Sequence, residues 1–315
     1  MQLGQAREAY VRWLLATRDL SPHTVRAYEG DLACMEDFVG TGALVDELGR
    51  STLVDFLESQ KAASLSPASI RRRASALRGF SRWLCAQKLV DSDPWVDASL
   101  PAGRARKLPR VLSAQDLERL LTFLKRLAGV DSAPIHANLV HQKPHEFTTL
   151  LAVALMVSTG VRVHEVVGCR SQDIDLTGRS IRLLGKGRRE RQVFLANDWI
   201  TELTSVYLQA RNTLRLSHSH LLFNLHHEPL TTAAMRSRLA KAAQAAGIAQ
   251  RVTPHMLRHT AATQLIEAGV DIRYIQRLLG HASLSTTEIY THVSDHALHR
   301  VVSDADVLGR FAQAR

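Results

Sequence analysis

Cysteine is scarce in this chain of 315 residues: Cys34, Cys85 and Cys169 stand far apart, in no C-x-x-C pair and no even-numbered framework. A disulfide scaffold is therefore excluded, and a reducing cytosol fits best. No stretch approaches the roughly 20 consecutive apolar residues that span a bilayer. Residues 1–10 also lack an apolar run followed by a small-residue cleavage site, so a soluble cytoplasmic protein without membrane contact is expected. There is no fixed-period repeat and no low-complexity tract, which excludes solenoids. Acid is in short supply as well. Forty Lys and Arg face 30 Asp and Glu, leaving a formal charge of +10 that favours a polyanionic partner. A hydrophobic content of 45% over this length is enough for two domains with cores of their own.

Residues 1–98 read as a helical domain, opening with Tyr10, Trp13 and Leu14 on one face of a first helix. Ser21-Pro22 and Ser66-Pro67 each put a hydroxyl N-cap before a proline at the first helical position, where a missing N–H does no harm. In the helix that follows Ser66, the residues Ile70, Ala74, Leu77, Ser81 and Leu84 are spaced to face a core. Arg71, Arg78 and Arg82 recur on another face, and Arg72 and Arg73 thicken the patch. A basic helix face is usually just solvated. A second cluster changes the weighting: Arg104, Arg106, Lys107 and Arg110 fall in an aperiodic segment between Pro94 and Pro109, so residues 99–112 read as a basic interdomain linker suited to a phosphate backbone.

Ser113 and Asp116 form a capping signal that opens a second domain over 113–315, with a helix over 113–127. The stretch 129–145, with Pro134, Pro144 and three histidines, shows no clear period and reads as an irregular insertion. An apolar helix over 147–159 follows, ending near Gly160. Segments 180–184 and 192–195 have β character and are joined by the polar run 185–191, a hairpin with a basic tip. Beyond Asn197 the pattern is helical, near 198–214, 231–246, 254–268 and 271–279, and again over 303–313. The second domain is thus mostly α with a small β-sheet, and the whole chain is mainly α.

Chemistry concentrates in this domain. Thr253 is placed as an N-cap and Pro254 as the first helical residue, so His255 and Arg258 lie three apart on one face near the helix's positive end, where an anion is favoured. A lone histidine there is more often a satisfied polar residue, but Gly280 presents His281 just past a helix end, and Ser285 with Glu288 caps a helix containing Tyr290. Upstream, Arg162 follows Gly160, and an arginine in that setting needs an anion; Glu165 is the protein partner that would satisfy it without any function. His218, His220, His226 and His227 lack clear zinc-ligand spacing and read as loop residues, and no metal or cofactor is expected.

The boxes 159–165 (TGVRVHE), 185–187 (GKG), 255–260 (HMLRHT), 279–281 (LGH) and 289–292 (IYTH) resemble, in order, the signatures of the tyrosine recombinases, or phage integrase family. The first domain joins in: 20–28 (LSPHTVRAY) resembles the family's SAM-like core-binding module, and 104–121 and 276–293 are similar to bacterial Xer recombinases. The resemblance implies a tyrosine recombinase fold and a catalytic set of Arg162, Lys186, His255, Arg258, His281 and the nucleophile Tyr290. It implies site-specific DNA recombination through a 3′-phosphotyrosine intermediate and a Holliday junction. The partner would be double-stranded DNA bearing a specific site. The assembly would be a homotetramer on two sites or a heterotetramer with a second recombinase, with accessory proteins as further candidates and the nucleoid as location. Arg71, Arg72, Arg78, Arg82, Arg104, Arg106 and Lys107 are the expected DNA contacts. The insertion at 129–145 departs from the compact bacterial pattern, and His164 stands where a small polar residue is common. Two other readings compete: a type IB topoisomerase-like enzyme that nicks and reseals, and a silent DNA-binding protein of the same fold, which would have no need of Tyr290.

Overall fold

The computed structural model describes residues 1–18, 20, 22–95, 111–131, 134–184, 190–280, 295–307 and 309. The chain divides into two compact units, Met1–Lys107 and Leu108–Arg315. It is mostly helical with one small sheet, as the patterning predicts, and no described helix is long and apolar enough to cross a membrane.

The first unit holds α1 (Leu3–Thr17), α2 (Pro22–Val39), α3 (Arg50–Ala62) and α4 (Pro67–Ala86). Ser66 Oγ accepts the Ser69 N–H at 3.2 Å with Pro67 in the first turn, the start that the sequence signals. Ile70, Ala74, Leu77, Ser81 and Leu84 are all buried, as their spacing predicts. Around them Tyr10, Phe80 and Trp83 pack ring against ring at 5.3–6.1 Å. The arginines of α4 divide in role. Arg72 and Arg73 both bind Asp31, whose side chain is almost wholly buried, and Arg72 also donates to the Ala27 carbonyl. Arg78 lies 5.5 Å over the Trp95 ring. Arg82 is exposed and Arg71 half-buried.

The second unit is organised around α7 (Pro144–Thr159), in which every residue from Phe147 to Thr159 is buried. A helix apolar on all sides needs cover on all sides, and α5 (Ala114–Ala128), α9 (Asp198–Thr213) and α11 (Pro254–Glu267) are among the elements that provide it. α5 begins as predicted, with Ser113 Oγ accepting the Asp116 N–H at 3.0 Å, and turns its Leu117, Leu120, Leu121 and Leu124 stripe to the core. Two expectations need correction. The insertion at 129–145 is not wholly irregular: α6 (Ala137–Gln142) lies within it, packed on α7 and α9 through buried Val140, and α7 itself starts at Pro144, not at residue 147. Six residues are too few to show a period, and Pro144 is a helix start here, not a break.

α8 (Val163–Gly168) leads into an antiparallel sheet in the order β1 (Ile174–Asp175), β2 (Ser180–Leu184), β3 (Glu190–Phe194). Its register pairs Ile181 with Val193 and Leu183 with Arg191. β3 therefore begins two residues earlier than predicted, and Arg191 belongs to a strand, not to the polar tip. The tip itself, 185–189, lies outside the described residues. After α10 (Thr232–Ala245), α11 and α12 (Ile272–Leu279), the last described helix is α13 (Asp295–Ala305). It ends near where a helix over 303–313 was expected to start. Its face meets β3, where His299 stands edge-on to Phe194 at 4.8 Å.

Candidate active site

The end of α7 sets the site's geometry. Gly160 takes the left-handed conformation, φ +64°, closing the helix with its N–H on the Met156 carbonyl at 3.1 Å. The positive φ favours glycine, and a Cβ there would meet the end of the Leu279 side chain, which would have to move. The turn frees the Gly160 carbonyl, which accepts Arg258 Nη1 at 2.7 Å.

Arg258 comes from α11, started by Thr253 Oγ1 accepting the Met256 N–H at 3.3 Å with Pro254 in the first turn. Its second nitrogen, Nη2, donates to the Leu279 carbonyl at 2.7 Å. The residue is only 5% exposed and forms no ion pair among the described residues. Burial pulls its guanidinium down to about 10, the neighbouring Arg162 and Arg191 charges pull the same way, and Glu165 opposes them. At neutral pH Arg258 is therefore a buried cation held by neutral dipoles, a charge that an incoming anion would relieve.

Arg162 lies beside it at the start of α8. Its Nη1 reaches Glu165 Oε1 at 3.2 Å and the Leu279 carbonyl at 3.4 Å, and its Nη2 the Gly280 carbonyl at 3.5 Å. Its side chain keeps 36% exposure, so one edge remains open. Glu165 is the expected protein partner, but its chief contact is another residue. Arg191 from β3 binds the carboxylate with two hydrogen bonds of 2.6 and 2.7 Å, and the Arg162 backbone N–H adds a third at 2.7 Å. The Glu165 side chain is fully buried, and burial alone would push its carboxyl up. The Arg191 hydrogen bonds and charge, together with Arg162, win and hold it at about 2.

Arg191 also donates Nε to the Leu278 carbonyl at 3.1 Å. Three arginines thus bind the carbonyls of residues 278, 279 and 280 at the negative end of α12. Gly280, φ +65°, ends that helix against the Arg191 side chain. Arg191 is the structural member that the sequence pattern misses, because a charge at the end of the polar run 185–191 looks like a loop residue until the strand register is known.

His255 is exposed, and its Nε2 lies 2.9 Å from Nε2 of His259, so one of the two rings supplies the hydrogen. His255, Arg162 and Arg258 line one cleft of about 320 Å³. A hollow of about 630 Å³ over the sheet is larger, but Asp173, Asp175 and Glu190 share it with Arg182 and Arg191, a mixed lining less suited to an anion. The structure thus brings three of the six expected catalytic residues together. Lys186, His281 and Tyr290 lie outside the described residues, as do Arg104, Arg106 and Lys107. Among the described residues no group of three His, Cys, Asp or Glu is placed to hold a metal.

Comparison with known proteins gives this geometry its context. Residues 110–297 match the phage integrase family, and residues 8–88 match the phage integrase N-terminal SAM-like domain. A protein named tyrosine recombinase XerC from Listeria innocua is 33% identical, covering 94% of this chain and 96% of its own length. Tyrosine recombinase XerD from Listeria monocytogenes is 34% identical, covering 91% and 93%. Among solved structures, a lambda integrase dimer bound to a COC′ core site matches with a TM-score of 0.67 at 19% identity, over 92% of this chain and 100% of that one, a likeness of fold. XerH bound to a difH substrate matches with a TM-score of 0.63 at 25% identity, over 89% and 78%. With half its length and more inside the family's pattern and relatives matched nearly end to end, the chain belongs to the phage integrase family and is a site-specific DNA recombinase of the tyrosine class.

Proposed function

We propose that Arg162 and Arg258 grip the non-bridging oxygens of a scissile DNA phosphate and that Tyr290 attacks its phosphorus. The observation that carries this is Arg258, buried and charged yet bound only to neutral carbonyls, opening with Arg162 onto one cleft. Phosphoryl transfer concentrates charge on those oxygens, and fixed guanidinium donors act on it without reorganising. In the step, the Tyr290 oxygen bonds to phosphorus while the bond to the 5′ oxygen breaks. The phenol proton passes to His255, and Lys186 donates a proton to the leaving 5′ oxygen. His281 hydrogen-bonds the phosphate. The 3′-phosphotyrosine conserves the energy of the broken bond, so religation uses no nucleotide, and these steps call for no metal.

The wider reading follows the expected organisation: residues 1–98 bind the core DNA, 99–112 lie along its backbone and 113–315 carry the chemistry. Arg71, Arg78, Arg82, Arg104, Arg106 and Lys107 are the proposed backbone contacts, with Arg72 contributing while it braces Asp31. Four protomers on two sites, all of this chain or shared with a second recombinase, would exchange strands in two steps through a Holliday junction, in the nucleoid and with any accessory proteins that the site requires. Relatives that are recombinases along nearly their whole length disfavour the nick-and-reseal and silent-binder readings.

The test is a covalent adduct assay: the purified protein in EDTA with labelled DNA from the flanks of its own gene, quenched in detergent. An adduct through a 3′ phosphate, absent with Tyr290→Phe, supports the reading. Strand exchange that survives Tyr290→Phe overturns it.

A further inference from the structure

Four arginines and two histidines line the cleft, and no carboxylate does. Arg162, Arg258 and His255 have roles in the proposed step, and His164 sits beside them. Arg236 and Arg251 do not have such a role. Arg236 is on α10, which packs on α8, and Arg251 lies two residues before the Thr253 cap of α11, so each reaches the cleft from an element already next to the arginine pair. Both are exposed, and neither side chain has a hydrogen bond or ion pair among the described residues.

A phosphodiester carries one negative charge, and the Arg162–Arg258 pair already exceeds it. Two further guanidinium groups line the same cleft, whose lining holds no carboxylate, and their added charge favours more than one anion there. A DNA strand supplies these, since each scissile phosphate has a neighbour on either side. We infer that Arg236 and Arg251 bind the phosphates flanking the scissile one, fixing the register of the cleaved strand over the arginine pair. They are positioning residues: they hold the strand and take no part in bond making. This rests on the proposed reading of the cleft as the site of strand cleavage.

The experiment compares the parent with Arg236→Ala and Arg251→Ala in two assays on DNA carrying the protein's own site. The first is equilibrium binding across a salt series, which requires no chemistry. Each loss of a phosphate contact should lower the slope of log affinity against log salt by about 1. Arg236→Lys and Arg251→Lys should restore the slope, because a point charge suffices for a single phosphate. The second assay places a neutral methylphosphonate at each position next to the cleavage site. Each variant should be insensitive to neutralising one particular flanking phosphate, the one that its arginine held. Unchanged slopes, or variant and methylphosphonate effects that simply add at every position, overturn the inference. Reduced slopes with a position-specific loss of additivity, alongside cleavage that survives Tyr290→Phe, leave the positioning role standing and remove the Tyr290 reading.

Discussion

Arg191 clasps the fully buried carboxylate of Glu165 through hydrogen bonds of 2.6 and 2.7 Å, tying β3 to the first turn of α8. Neither residue faces the cleft, yet Arg162 leans on the same carboxylate and the α12 terminus on the same guanidinium. Removing one partner of a buried pair strands the other. Arg191→Ala should therefore destabilise the second unit by about 3 kcal/mol in chemical denaturation and slow adduct formation as Arg162 loses its anchor. A loss below about 0.5 kcal/mol, the usual size of a surface change, would mean that Arg162 alone satisfies the carboxylate.

The same pair fixes an acid limit. Glu165 is held at about 2, below the ordinary 4.5 of an unfolded glutamate. A depressed carboxyl stabilises the fold fully above the unfolded value, and the contribution disappears as pH falls through the folded one. Stability should thus decline between about pH 4.5 and 2, by about 3 kcal/mol from this group. Thermal melts of the parent and Glu165→Gln across that window check it: the variant should start lower and show a shallower decline. Parallel curves would place the acid transition elsewhere.

Arg258 predicts the response to anions. A buried cation whose partners are only carbonyls should be stabilised by any small oxyanion that enters the cleft, by RT ln(1 + [L]/Kd), about 2.7 kcal/mol at one hundred times Kd. Sulfate at matched ionic strength should raise the melting temperature of the parent more than that of an Arg258→Ala, Arg162→Ala double variant. Equal gains would assign the effect to general salting. Arg258→Lys should not recover the difference, because an ammonium cannot span the Gly160 and Leu279 carbonyls and still present two donors.

Gly160→Ala joins two penalties. The left-handed backbone costs an L-residue about 1–2 kcal/mol, and the added Cβ meets Leu279. A destabilisation of about 2 kcal/mol is expected, and in a Leu279→Ala background, where the contact is gone, Gly160→Ala should still cost the dihedral part. No further loss on adding Gly160→Ala to Leu279→Ala would show that φ at 160 relaxes freely.

Much of this is legible in the sequence. Helix starts at Ser66, Ser113 and Thr253 are local chemistry, one side-chain oxygen and one N–H three residues on, and each forms as the sequence predicts. His255 and Arg258 share a helix face because three-residue spacing dictates it. Arg191 was not legible, because its inward direction depends on the pairing of Leu183 with Arg191, a contact made across the hairpin. α6 was too short for periodicity to register. Arg236 and Arg251 carry no motif at all. They become a feature only when α10 and the approach to α11 meet over the arginine pair, and that meeting is tertiary.

Much of what holds the cation pair is main chain. Arg258 is held by the oxygens of Gly160 and Leu279, and Arg162 in part by those of Leu279 and Gly280. A main-chain oxygen is the one kind of ligand that a point substitution cannot delete: changing residue 279 alters a side chain and leaves the acceptor in place. On the proposed reading of the cleft, side chains that meet DNA elsewhere can drift as the target sequence drifts, while the hold on Arg258 is inherited with the backbone. A recombinase built this way can change its address without relearning its chemistry.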